Sequence, residues 1–176
     1  SMDWLRQIAA SRGTRNVRVE EGIRKNIGGV KLEVLLPPVD WAPKRVSNND
    51  SVVLRLGYQD RHYLLAGDVE ARMERLLAES EEPLASDVLK VAHHGSKTSS
   101  TAEFLHRVAP QFGIISVGAF KRFGHPNQEA LDNLRAAGIR TYRTDLDGAT
   151  TVSTDGHHLE ITDYRESLRP WPFFAP

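Results

Sequence analysis

With 176 residues, 40% of them apolar and 26% charged, the chain is long enough to bury one sizeable core and has the balance of a soluble globular domain. Lys plus Arg and Asp plus Glu number 23 each, so net charge argues neither for nor against a nucleic-acid partner, and any basic footprint must be local. The absence of cysteine excludes disulfides and thiolate metal sites, which leaves imidazole and carboxylate as the strong ligands.

Ser1-Met2 reads as a cloning remnant, and no signal peptide or spanning-length apolar run is expected. From Asp3 to Ser11, Trp4, Leu5 and Ile8 recur at helical spacing before Gly13. Val30 to Leu36 alternates as a strand and stops at Pro37-Pro38. A polar loop ending at Asn48-Asn49-Asp50 leads into a hairpin, Ser51 to Leu56 and His62 to Ala66, turning between Gly57 and Arg61. Gly67-Asp68 closes that strand, and Val69 to Glu79 reads as a helix. Strand and helix then alternate. Asp87 to Ala92 and Phe112 to Val117 read as buried strands, with Val88, Leu89 and Val91 beside Ile114, Ile115 and Val117. Ser99 to Val108 reads as a helix with Ser and Thr candidates at its N-cap, and Pro126 fits the first position of a helix reaching Ala137. Ile139 to Arg143, Ala149 to Ser153 and His158 to Thr162 read as short strands, and the aromatic, Pro-rich stretch from Arg169 to Pro176 as irregular surface packing. The expectation is one mixed α/β (α+β) domain over residues 1–176, helices covering sheet.

Three apolar strands end in the same way, with a glycine and a metal-competent side chain. They are Leu64-Leu65-Ala66-Gly67-Asp68, Leu89-Lys90-Val91-Ala92-His93-His94-Gly95, and Ile115-Ser116-Val117-Gly118 running on to Gly124-His125-Pro126. Ends of neighbouring strands converge on one sheet edge, where sites are commonly assembled, and carboxylate with imidazole suits a hydrolytic Zn or Mn centre. Each signal has a plain competitor. A Gly-Asp after a strand is more often only a turn, a His pair is more often incidental, and Gly-His-Pro also serves as a simple loop.

The stretches Asn48-Asn49-Asp50-Ser51-Val52-Val53-Leu54, Leu64-Leu65-Ala66-Gly67-Asp68-Val69-Glu70 and Asp87-Val88-Leu89-Lys90-Val91-Ala92-His93-His94-Gly95-Ser96-Lys97-Thr98-Ser99-Ser100 resemble the ComEC-type competence proteins, whose domain has a metallo-β-lactamase fold. Gly124-His125-Pro126 and Tyr142-Arg143-Thr144-Asp145 extend the resemblance, which covers about residues 32–161. It implies an αββα sandwich with two metal ions, Zn or Mn, at its open edge. By the same resemblance Asp68 is the bridging carboxylate and His125 a terminal ligand. His94 either faces the scissile phosphate as a catalytic residue or completes the metal shell, and His93 either orients its neighbour or packs beneath it. Ser96 and Lys97 are candidate phosphate contacts; Lys97, like Lys121 and Arg122, has a solvated loop cation as its competing reading.

Two departures stand out. Lys121 and Phe123 replace the Asn and Tyr usual in the family, and its His-x-His-x-Asp-His motif is not among the seven histidines. The chain is therefore expected to be the C-terminal half of the sandwich, without half the ligands. On its own it is expected to be soluble, inactive, without tightly bound metal, and inclined to self-associate through its uncovered face. For the parent protein the resemblance implies metal-dependent phosphodiester hydrolysis in DNA uptake, degrading the strand not imported. Its expected partners are single-stranded DNA, the upstream half of the domain and a channel in the bacterial inner membrane, with this domain outside the cytoplasm. The alternatives are a soluble phosphodiesterase on a non-DNA substrate and a catalytically dead module that binds DNA or a partner.

Overall fold

The computed structural model describes residues 2–43, 45–119 and 124–164; Lys121, Arg122, Phe123 and the stretch from Arg169 to Pro176 lie outside the described residues. One seven-stranded sheet carries the structure, in the order β1 (Arg24–Ile27), β2 (Val30–Leu36), β3 (Val53–Tyr58), β4 (Arg61–Leu65), β5 (Val88–Lys90), β6 (Phe112–Ile115), β7 (Arg140–Arg143). The first four strands pair antiparallel and the last four parallel. Two-residue turns join β1 to β2 and β3 to β4, whereas the long stretch 37–52 joins β2 to β3. Helices α2 (Ala71–Glu79), α3 (Ala102–Val108) and α4 (Gln128–Ala136) make the crossovers between the parallel ones. β8 (Thr150–Thr154) and β9 (Leu159–Asp163) form a separate hairpin, and α1 (Met2–Ser11) precedes the sheet. No helix among the described residues is long and apolar enough to cross a membrane.

Strand alternation and register put Val53, Leu64, Leu89 and Ile115 on one face of the sheet. All four are buried, in one cluster with Met73 and Leu77 of α2, Phe104, Leu105 and Val108 of α3, and Leu134 of α4. The strands expected around Val88-Leu89-Val91 and Ile114-Ile115-Val117 are indeed adjacent; Ile114 and Val117 are half-buried where the others are fully buried. The opposite face carries Leu54, Leu56, Tyr63, Leu65 and Ile114, all part-exposed, with Leu65 the most open at 37%. Val152 and Thr154 of the hairpin share a hollow with Leu56 and Tyr63 on that face. The hairpin is pinned at its tip: Asp60 N–H donates to Gly156 O at 3.0 Å, and the Arg61 guanidinium bridges the His157 carbonyl and Asp87 Oδ1, the latter at 2.9 Å.

Two local expectations need correction, and one strand was not expected at all. Pro126 is not the first residue of α4: the helix starts at Gln128, and Asn127 caps it by accepting from Glu129 N at 3.0 Å. β1 carries no apolar alternation, all four of its residues are exposed, and it exists by pairing with β2. The hydroxyls near the start of α3 do not cap it. Thr101 is the N-cap residue without a side-chain cap bond, and Glu74 of α2 reaches across instead, accepting from Ser100 N at 2.7 Å and Thr101 N at 2.8 Å. A fully buried carboxyl thus satisfies the amides entering α3 and ties two crossover helices together, while burial pushes its pKa up. Glu74→Ala leaves both amides without an acceptor and opens a void, so it should destabilise the chain by about 3 kcal/mol. Chemical denaturation showing a change below about 1 kcal/mol would contradict this role.

Candidate functional site

The parallel half of the sheet dictates where the candidate residues meet. β4, β5 and β6 run in the same direction, so the segments that follow them, at Gly67-Asp68, His93-His94 and Ser116-Val117, emerge at one edge. The His125-Pro126 segment closes on the same edge, because Asn127 N–H donates to Gly95 O at 2.8 Å.

Asp68 follows Gly67, whose φ of +59° and tight surroundings exclude a side chain: a Cβ there would lie 2.8 Å from Ser51 Cβ. The Asp68 amide donates to Ser51 Oγ at 3.1 Å, so the hairpin that precedes it aims its carboxylate. His93 and His94 both hold the left-handed conformation, at φ 44° and 55°, and Gly95 continues it at 75°. Two successive non-glycine residues there cost on the order of 1–2 kcal/mol each. Bonds to three other segments maintain the strain: His93 N–H to Gly67 O at 3.1 Å, His94 Nδ1 to Ser116 O at 2.5 Å, and Gly95 O to Asn127.

The bond to Ser116 decides the chemistry of His94. A carbonyl only accepts, so Nδ1 carries a proton, and in the neutral ring Nε2 is the nitrogen with the lone pair. That Nε2 lies 3.6 Å from Asp68 Oδ1, with both side chains partly open to solvent. A backbone carbonyl on one ring nitrogen with the other left bare is the usual arrangement of a metal-binding imidazole. His93 differs. Its Nε2 is 3.4 Å from Asn48 Nδ2, a donor, and its Nδ1 is 3.4 Å from Glu70 Oε1, within ion-pair reach but off the line of a hydrogen bond. Its ring stands edge-on to His125 at 5.3 Å and to His94 at 6.5 Å. The pKa of His125 is lowered, first by burial, then by His93 and His94, with Asp68 opposing. Lys90 is lowered too, by burial, again with Asp68 opposing.

The structure therefore brings Asp68, His93, His94 and His125 to one edge. Ser96 is buried there, its hydroxyl 3.1 Å from Thr98 Oγ1, whereas Lys97 is exposed on the loop surface. In kind and orientation the Asp68–His94 pair fits a divalent cation. In number it does not complete a shell: among the described residues no group of three or more His, Asp or Glu side chains stands close enough to hold one ion. Sequence reasoning passed over Glu70, Asn48 and Asn49, which lace the edge together; Asn49 Oδ1 accepts from Glu70 N at 3.0 Å. All three stood inside the motif stretches, Asn48 and Asn49 as loop residues and Glu70 in the first turn of the expected helix, with nothing to single them out.

Residues 6–119 match the family model described as Metallo-beta-lactamase superfamily. The chain belongs to that superfamily. Within it the chain is similar to ComE operon protein 3 of Bacillus subtilis (strain 168), 36% identical over 143 residues that make up 81% of this chain and 18% of the relative. It is also similar to Competence protein ComA of Neisseria gonorrhoeae, at 37% over 123 residues, 69% of this chain and 17% of the relative. Recombination protein 2 of Haemophilus influenzae matches at 32% over 143 residues, 81% and 18%. The relatives are ComEC-type competence proteins, and the chain spans less than a fifth of their length. Metal binding is usual in the superfamily, which agrees with the donor types gathered here.

A depressed His125 pKa means that the folded chain binds fewer protons than the unfolded one just below 6.5, its ordinary value. Stability from this residue is therefore lost as pH falls through that window. Because Asp68 is the group that raises it, Asp68→Asn should lower the His125 pKa further, read by NMR titration; an upward shift would contradict the geometry.

Proposed function

We propose that this chain supplies one side of the metal centre in a phosphodiester hydrolase acting on DNA during its uptake, with Asp68 and His94 as ligands and His125 completing the same edge. The observation that carries the reading is the His94 ring, held through Nδ1 by Ser116 O so that a bare Nε2 faces Asp68. The names of the relatives, competence and recombination proteins, favour DNA as the substrate. Degradation of the strand that is not imported, next to a membrane channel on the outer side of a bacterial inner membrane, is the role in which such a site fits them best.

A divalent cation bound at this edge would supply charge stabilisation to a phosphodiester oxygen. The chain's own residues set the geometry. Ser51 and Gly67 aim Asp68, Ser116 aims His94, and exposed Lys97 presents an ammonium on the neighbouring loop, where it would meet a phosphate oxygen. Ser96 acts on that loop through its bond to Thr98. The remaining ligands come, in this reading, from parts of the longer proteins beyond the matched region.

Two outcomes follow. The 176-residue chain alone should bind Zn or Mn weakly by calorimetry and cleave no single-stranded DNA, since too few donors meet at the edge. In the longer protein Asp68→Ala and His94→Ala should each lower metal-dependent cleavage by at least about 100-fold, with His93→Ala milder. Full activity in Asp68→Ala would remove the basis of the site.

A further inference from the structure

Glu70 sits at the N-cap of α2, yet its carboxylate makes no cap bond to that helix. The first amide of α2, on Ala71, donates instead to Thr98 O at 2.7 Å. Freed from capping, the carboxylate is a junction for segments far apart in sequence. It accepts from Thr98 Oγ1 at 3.0 Å, and takes longer contacts at 3.5 Å from the side-chain amides of Asn48 and Asn49. Its Oε1 also faces His93 Nδ1 at 3.4 Å. The loop before β3, the entry to α2 and the strained His93–Ser100 loop thus converge on one anion.

The tautomer of His93 follows from the same neighbours. The Asn48 amide nitrogen can only donate, so His93 Nε2 accepts and Nδ1 carries the proton, 3.4 Å from Glu70 Oε1 on the Glu70 side of the ring. His93 consequently offers the edge no bare nitrogen. Its ring serves as a wall, edge-on to both His94 and His125. We infer that Glu70 is a positioning residue: with Asn48 and Thr98 it fixes the ring of His93, and through that ring the placement of His94 and His125. The inference rests on the reading of the Asp68–His94 edge given above and adds a residue that no motif logic assigns.

Glu70→Asp tests it cleanly. The shorter side chain keeps the charge and is a better N-cap, so α2 is not weakened, but it falls short of His93 and Thr98. Glu70→Gln keeps the reach and one acceptor oxygen. In the metal-free chain, imidazole 15N spectra should show a single Nδ1–H tautomer for His93 in the wild type. That preference should be lost in Glu70→Asp and largely restored in Glu70→Gln. In the longer protein Glu70→Asp should lower metal affinity by about 10- to 100-fold at an unchanged melting temperature. A wild-type His93 spectrum in Glu70→Asp overturns the inference, whatever the cleavage rate. Because that spectrum is taken without metal or substrate, it decides the role of Glu70 even if the longer protein proves not to cleave DNA.

Discussion

Everything at the candidate site depends on the left-handed run His93-His94-Gly95. In that backbone the chain leaves β5 and turns sharply enough to put consecutive imidazoles into different surroundings. His94 swings toward Asp68 and the Ser116 carbonyl, His93 toward Asn48 and Glu70. An extended continuation of β5 would send the two rings to opposite faces of the sheet. The strain is concentrated where the Gly67 and Ser116 carbonyls accept from His93 N–H and His94 Nδ1 and Asn127 N–H donates to Gly95 O, the pattern expected when local strain serves a site. Gly95 is part of the device, since a Cβ there would stand 2.8 Å from Pro126 Cβ and push the His125 segment away.

The rest of the fold makes that turn possible. Parallel pairing of β4, β5 and β6 delivers three chain segments to one edge, and the packed helices hold those strands from one side only. Glu74 joins α2 to the entry of α3, so the C-terminal end of the His93–Ser100 loop is gripped twice, by Glu70 at the Thr98 side chain and by Glu74 at Ser100. Two acids one helical turn apart therefore do different work. The buried one closes the crossover, and the part-exposed one faces the site.

Much of this was legible in the sequence for physical reasons. Buried parallel strands read as short apolar runs, and β5 and β6 were found that way. The recurring strand-end pattern marks Gly67-Asp68, His93-His94 and Gly124-His125 as segments that meet at one sheet edge. What could not be read was set by tertiary pairing. β1 is a strand because β2 offers it an edge, not because Arg24-Lys25-Asn26-Ile27 alternates. The cap of α3 comes from a residue 26 positions away in Glu74, which no local rule for Ser and Thr finds. The choice between His93 and His94 was undecidable from two adjacent, identical letters. It depends on a carbonyl 22 residues downstream of one and an amide 45 residues upstream of the other.

The central claim is that this edge is half of a metal centre, and the direct test is to see the metal. A crystal of the longer protein grown with Zn2+, with anomalous scattering measured at the metal's absorption edge, would locate it. The claim predicts an anomalous peak at about 2.0–2.2 Å from both a carboxylate oxygen of Asp68 and Nε2 of His94, with His93 outside coordination distance. A peak bound through His93, or an ion held with His94 Nε2 turned away from it, would contradict it.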